Sequence, residues 1–160
     1  MEIQLLVIII IMIACSAFFS ASETALTGAN RIRLKSMAEN GSKGAKMALK
    51  LLDRYDKVIT TILIGNNIVN ITASSLGTIL ATAIVGPDNA ALVSTVVLTL
   101  VILAFGEVMP KSLAKDHSEG LTVATSGIIT FLTFIFTPLS ALFILCLLYT
   151  SPSPRDTERS

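Results

Sequence analysis

Four long apolar segments, at residues 3–26, 58–85, 90–109 and 119–148, dominate this 160-residue chain. Each reaches the roughly 20 residues that a helix needs to cross the hydrocarbon core of a bilayer. Hydrophobic residues make up 52% of the chain and charged residues only 14%. A soluble domain carries about 25% charged residues, and here most basic residues also sit in one block between segments. The pattern is that of a single-domain, all-α integral membrane protein. A net charge of +1 gives no electrostatic footprint for nucleic acid.

The first segment does not read as a cleaved leader. Glu2 is the only charge before residue 23, so there is no basic flank, and the apolar run outlasts a usual signal core. Cys15 and Cys146 each lie in an apolar run and read as small buried side chains, without haem, zinc or redox spacing.

The connections set the expected orientation. Between the first two segments lie Arg31, Arg33, Lys35, Lys43, Lys46, Lys50, Arg54 and Lys57, whereas "GPDNA" at 86–90 has no basic residue. The positive-inside rule then puts the N-terminus outside and the basic loop and the residues after 110 in the cytoplasm, at a plasma (inner) membrane. Apolar residues at helical spacing, interrupted by "NGSKG", predict two short amphipathic helices in the loop, joined near residues 40–44. Their basic faces suit topology setting, with contact to anionic lipid or to an acidic partner domain as a second role. The fourth segment, with its spaced Ser and Thr and Pro138, fits either a crossing or a belt along the cytoplasmic interface. The Ser/Pro-rich, charged stretch 149–160 reads as a disordered or non-native tail, outside the functional reading.

Three polar clusters interrupt the apolar helices. "FFSASETAL" carries Ser20, Ser22 and Glu23; "ILIGNNIVN" carries Asn66, Asn67 and Asn70; "FGEVMPKSLA" carries Gly106, Glu107 and Pro110. At about 1.5 Å per residue all three fall between mid-membrane and the inner face. Their donors are hydroxyl, amide and carboxylate oxygens, a set that suits a hard cation, Mg²⁺ above all. Pro110 has no N–H for the Gly106 carbonyl four residues earlier, and such freed carbonyls bind cations in broken membrane helices. The plainer reading is that these serines and asparagines join helices to one another. On that reading Glu107 pairs with Lys111 one turn on, and Glu23 pairs with Arg31 or reaches water.

The three motifs, in this order and with a basic helical loop between the first two, resemble the transmembrane domain of the cyclin M/CorC family of Mg²⁺ transporters. The resemblance covers about residues 3–145. It implies a homodimer with three spanning helices per subunit, cytoplasmic amphipathic helices and a juxtamembrane belt helix. It also implies a dehydrated Mg²⁺ carried out of the cytoplasm by alternating access, with Na⁺ as the exchanged ion. By position, Ser20 matches the family's first-helix serine, Asn66 and Asn70 its second-helix asparagines, and Gly106, Glu107 and Pro110 its third-helix break. Asn67 and Ser22 join this set as further metal-site candidates. Relatives do not all carry an acid at the Glu23 position. They usually continue into a cytoplasmic CBS pair that binds ATP-Mg²⁺, so the chain is expected to be a piece of a longer protein.

Two other functions compete with transport. One is a Mg²⁺-sensing membrane scaffold that regulates a separate transporter, which only a flux measurement separates from a transporter. The other is an intramembrane hydrolase, poorly supported because His117, the single histidine, lies in a charged cytoplasmic segment. The expectation is a protein that is not an enzyme.

Overall fold

The computed structural model of the protein describes residues 2–139, 141, 142 and 145. Cys146 and the tail 149–160 lie outside them. The described elements are all helical: α1 (Glu2–Gly28), α2 (Arg31–Glu39), α3 (Lys43–Leu52), α4 (Tyr55–Val85), α5 (Pro87–Val101), a π-helical segment (Ile102–Val108), α6 (Met109–Asp116) and α7 (Ser118–Ile135). The run Pro87–Asp116 is one continuous rod. Four helices among the described residues are long and apolar enough to cross a membrane: α1, α4, this rod and α7.

Local chemistry sets the boundaries. The Asn30 side chain accepts from the Ile32 and Arg33 amides and starts α2, and Ser42 accepts from Ala45 and starts α3. Between them Gly41 takes φ +94°, which glycine adopts without a Cβ penalty. These are the two loop helices that the pattern predicts. At the far end of α4, Gly86 (φ +82°) turns the chain and Pro87 opens α5, where a missing N–H costs nothing. α7 ends at Ile135, with Phe136 in a turn two residues before Pro138. The stretch 119–148, expected as one belt helix, is therefore interrupted. A proline in that position removes a helix hydrogen bond and restricts the residue before it.

α1 is the hub. Close approaches at Ser16–Asn66, Phe19–Gly65 and Thr27–Tyr55 run it antiparallel to α4. Contacts at Ser16–Gly106 and Glu23–Lys111 run it parallel to the third rod. Thr78–Ser94 (3.0 Å) and Gly77–Leu98 align α4 with α5. At one end, Phe19, Leu26, Leu51, Val58, Ile62 and Ile129 form a core shared by α1, α3, α4 and α7.

α7 meets its neighbours through Gly28–Ser118, Gly44–Val123 and Met47–Gly127, and Arg33 reaches Glu119 at 3.6 Å. α3 buries Ala45, Ala48 and Leu51 while Lys43, Lys46 and Lys50 stay exposed on the opposite side. Elsewhere the rods turn Ile, Leu, Val and Phe outward, with Ile3, Leu92 and Phe134 at least 70% exposed. At most 22% of the residues in each apolar span are buried within the chain, so most of that surface is left for lipid or another helix.

Candidate functional site

Ser16 is where the three apolar rods meet. It is completely buried, its hydroxyl donates to Asn66 Oδ1 at 2.9 Å, and it lies 3.5 Å from the Gly106 carbonyl oxygen. One residue thus ties α1 to α4 and to the π-helical segment. Asn66 and Gly106, from two of the three motifs, meet at a serine that lies outside all three. Its signal was available in the sequence, because Ser16 and Ser20 are i and i+4 and share a helix face.

The third rod is not unwound at Gly106 and Pro110. It widens into seven residues of π-helix, Ile102–Val108, and the Met109 amide reaches back to the Ala104 carbonyl. Pro110 has no N–H to donate, and the Gly106 carbonyl faces Ser16. Gly106 is buried, and a Cβ there would lie 3.0 Å from Ser16 Oγ, so the absence of a side chain lets α1 come this close. Single π-turns inside longer helices are frequent at functional sites.

Among the described residues three buried side-chain oxygens have no hydrogen-bond partner: Ser20 Oγ, Ser22 Oγ and Asn70 Oδ1. Most buried polar groups find a partner, and one that does not needs a reason. Ser20, fully buried, lies one turn from Ser16 towards the Gly28 end of α1, on the Glu107 side of the junction. Asn70 lies one turn from Asn66 towards the Val85 end of α4. The orphan oxygens therefore flank the Ser16–Asn66 bond, about one helical turn away on either side.

Ser22 is separate. Two residues on from Ser20, it sits about 200° round α1, so the two hydroxyls cannot line one site. Asn67 is exposed on the single chain and also stands apart from Asn66.

The charges differ from the simplest sequence pairing. Arg31 pairs with Asp53, not Glu23. Lys111 pairs with Glu23 across to α1 at 3.5 Å, not with Glu107 on its own rod. Glu107, half-buried within the π-helical segment, makes no ion pair or side-chain hydrogen bond among the described residues. Those residues also contain no group of three or more His, Cys, Asp or Glu side chains. Any cation held here would meet one carboxylate and a set of neutral oxygens. Beyond the Glu23–Lys111 pair lies an open cavity of about 360 Å³, lined by Glu23, Thr24, Thr27, Gly28, Lys115 and Ser118.

Known proteins are similar to this chain over most of its length. The chain is 44% identical over 135 residues to the UPF0053 protein of Haemophilus influenzae, covering 84% of this chain and 32% of that protein. It is also 44% identical over 124 residues to the UPF0053 inner membrane protein YfjD of Escherichia coli, covering 78% and 29%. A more distant relative is the Polyamine export protein of Haemophilus influenzae, 26% identical over 143 residues, covering 82% and 33%. The chain spans about a third of the length of these curated relatives. The family model for the cyclin M transmembrane N-terminal domain matches residues 7–152, nearly the whole chain, and the protein belongs to that family.

Proposed function

We propose that this membrane domain carries Mg²⁺ out of the cytoplasm through the junction of α1, α4 and the π-helical segment, with Na⁺ as the exchanged ion. The observation that carries the reading is the pair of orphan oxygens, Ser20 Oγ and Asn70 Oδ1, on either side of a junction next to Glu107, which makes no ion pair among the described residues. Mg²⁺ takes oxygen ligands in an octahedron and binds through few carboxylates. One carboxylate leaves the bound ion only partly compensated, which suits a cation that must also leave. In this role Ser20 and Asn70, about two helical turns apart, offer neutral oxygens at successive positions along the ion's path, Asn66 and the Gly106 carbonyl lie between them, and Glu107 supplies the charge. Asn67 and Ser22 are helix-contact residues.

Three of the four apolar helices then cross an inner membrane, with the N-terminus outside and α2 and α3 in the cytoplasm, as the positive-inside rule favours. The Escherichia coli relative is named as an inner membrane protein. The contacts of α7 with α3, Gly28 and the Leu51–Val58 core lie at that same cytoplasmic end, which favours a belt over a fourth crossing. Two copies form the working unit, since an exposed Asn67 amide facing lipid would be costly and a second subunit can satisfy it. A cytoplasmic CBS pair belongs to the rest of the full-length protein.

A polyamine is the second cargo class, raised by the relative named as a polyamine exporter. Both are tested by melting the chain in detergent against Mg²⁺, Ca²⁺ and spermidine, with Glu107→Gln as control. Binding to the folded state alone stabilises it by about 2.7 kcal/mol at a hundredfold excess over Kd. A rise with Mg²⁺ that is absent in Glu107→Gln is expected. A rise with spermidine alone selects the organic cation, and no rise at all removes the site. Mg²⁺ flux in liposomes then separates a transporter from a sensor.

A further inference from the structure

Lys111 has two carboxylates to choose from. Glu107 stands four residues earlier on the same rod, a spacing and order that favour a Glu–Lys pair on a helix. Glu23 stands on a different helix, yet its Oε2 is the partner, 3.5 Å from Lys111 Nζ. Both side chains are partly shielded, with exposures of 28% for Glu23 and 39% for Lys111. Among the described residues Glu107 has no counter-ion.

We propose that Glu23 is a positioning residue that holds the Lys111 ammonium off Glu107, so that the Glu107 carboxylate stays free for the cation. The inference rests on the cation site proposed at Glu107. An ammonium resident on Glu107 would have to be displaced at each binding event. Apparent affinity falls by the fraction of molecules whose competent state is free. Glu23 removes that competition from one turn below Ser20 without itself joining the site. This accounts for an acidic residue at the end of an apolar helix, where a surface charge alone has no evident use.

The test uses the whole chain in detergent, with Glu23→Gln, Lys111→Gln and the double variant. Mg²⁺ affinity is read from the shift in melting temperature, and the melt without ion reports folding. In Glu23→Gln, Lys111 turns to Glu107 and Mg²⁺ binding weakens about tenfold, equivalent to ~1.4 kcal/mol. Removing the ammonium as well, in Glu23→Gln/Lys111→Gln, restores affinity to near the wild-type value. Unchanged affinity in folded Glu23→Gln overturns the proposal. A loss that persists in the double variant also overturns it, because Glu23 then acts directly on the cation.

Carbodiimide cross-linking without Mg²⁺ reads the pairing itself. The wild-type chain should join Lys111 to Glu23, and folded Glu23→Gln should join Lys111 to Glu107. Absence of the Lys111–Glu107 product in that variant overturns the proposal. If the cross-link switches while the wild-type chain ignores Mg²⁺, the cation reading fails and the positioning of Lys111 stands.

Discussion

Ser16 and Asn66, fifty residues apart in sequence, share a 2.9 Å hydrogen bond at the meeting point of three apolar rods. The same hydroxyl faces the Gly106 carbonyl at 3.5 Å, so one small side chain sets the spacing of α1, α4 and the π-helical segment. Lipid tails are as apolar as leucine side chains. Close packing and bonds of this kind therefore carry helix association in a bilayer.

Ser16→Ala removes the donor and leaves Asn66 Oδ1 without it. The expected cost is about 1–2 kcal/mol of stability, read as a lower melting temperature in detergent. Mg²⁺ affinity should fall as well, because Asn66 is no longer held toward Gly106.

Asn70→Leu should separate stability from binding. The Asn70 side-chain oxygen is buried without a partner, so an apolar replacement relieves an unmet hydrogen bond. The variant should melt at the same temperature or slightly higher without ion, while its response to Mg²⁺ is lost. A lower melting temperature with an intact response would make Asn70 a packing residue.

Gly65 lies under the Phe19 ring, where an added Cβ would come 2.6 Å from Cζ. Phe19 belongs to the core, so the ring has little room to move. Gly65→Ala should cost about 1–3 kcal/mol by overpacking, and Phe19→Leu added to it should recover part of that loss. Thermal melts of the two variants check this.

Orientation is open to direct labelling. In a cysteine-free background, Gly41→Cys should react only from the cytoplasmic side and Asp88→Cys only from outside. A reporter fused after Ser160 should fall on the same side as residue 41. The opposite side would show that α7 crosses.

Much of this architecture is local chemistry and so is legible in one dimension. Unbroken apolarity specifies the long helices, Asn30 and Ser42 start the two short ones, and "GPDNA" marks the turn into α5. The motifs around Ser20, Asn66 and Glu107 also point to one region from depth alone. Finer points did not follow. Pro110 removes a hydrogen bond, but whether the rod unwinds or widens depends on what packs against it, and here α1 brings Ser16 to the Gly106 carbonyl.

Ser16 stood in an apolar run with only its i, i+4 relation to Ser20 to mark it, and Ser22 stood inside a motif yet faces away from Ser20. Helix periodicity distinguishes these faces only once it is known which side of α1 meets the other rods. The choice of Glu23 over Glu107 by Lys111 is the clearest case. Spacing rules rank partners on the same helix, whereas an ammonium settles on whichever carboxylate the packing of two helices brings within reach. The sequence alone determined the helices, the membrane and the chemical character of the polar clusters. Only the tertiary structure decided which oxygens are bonded, which are orphaned and which carboxylate is left free.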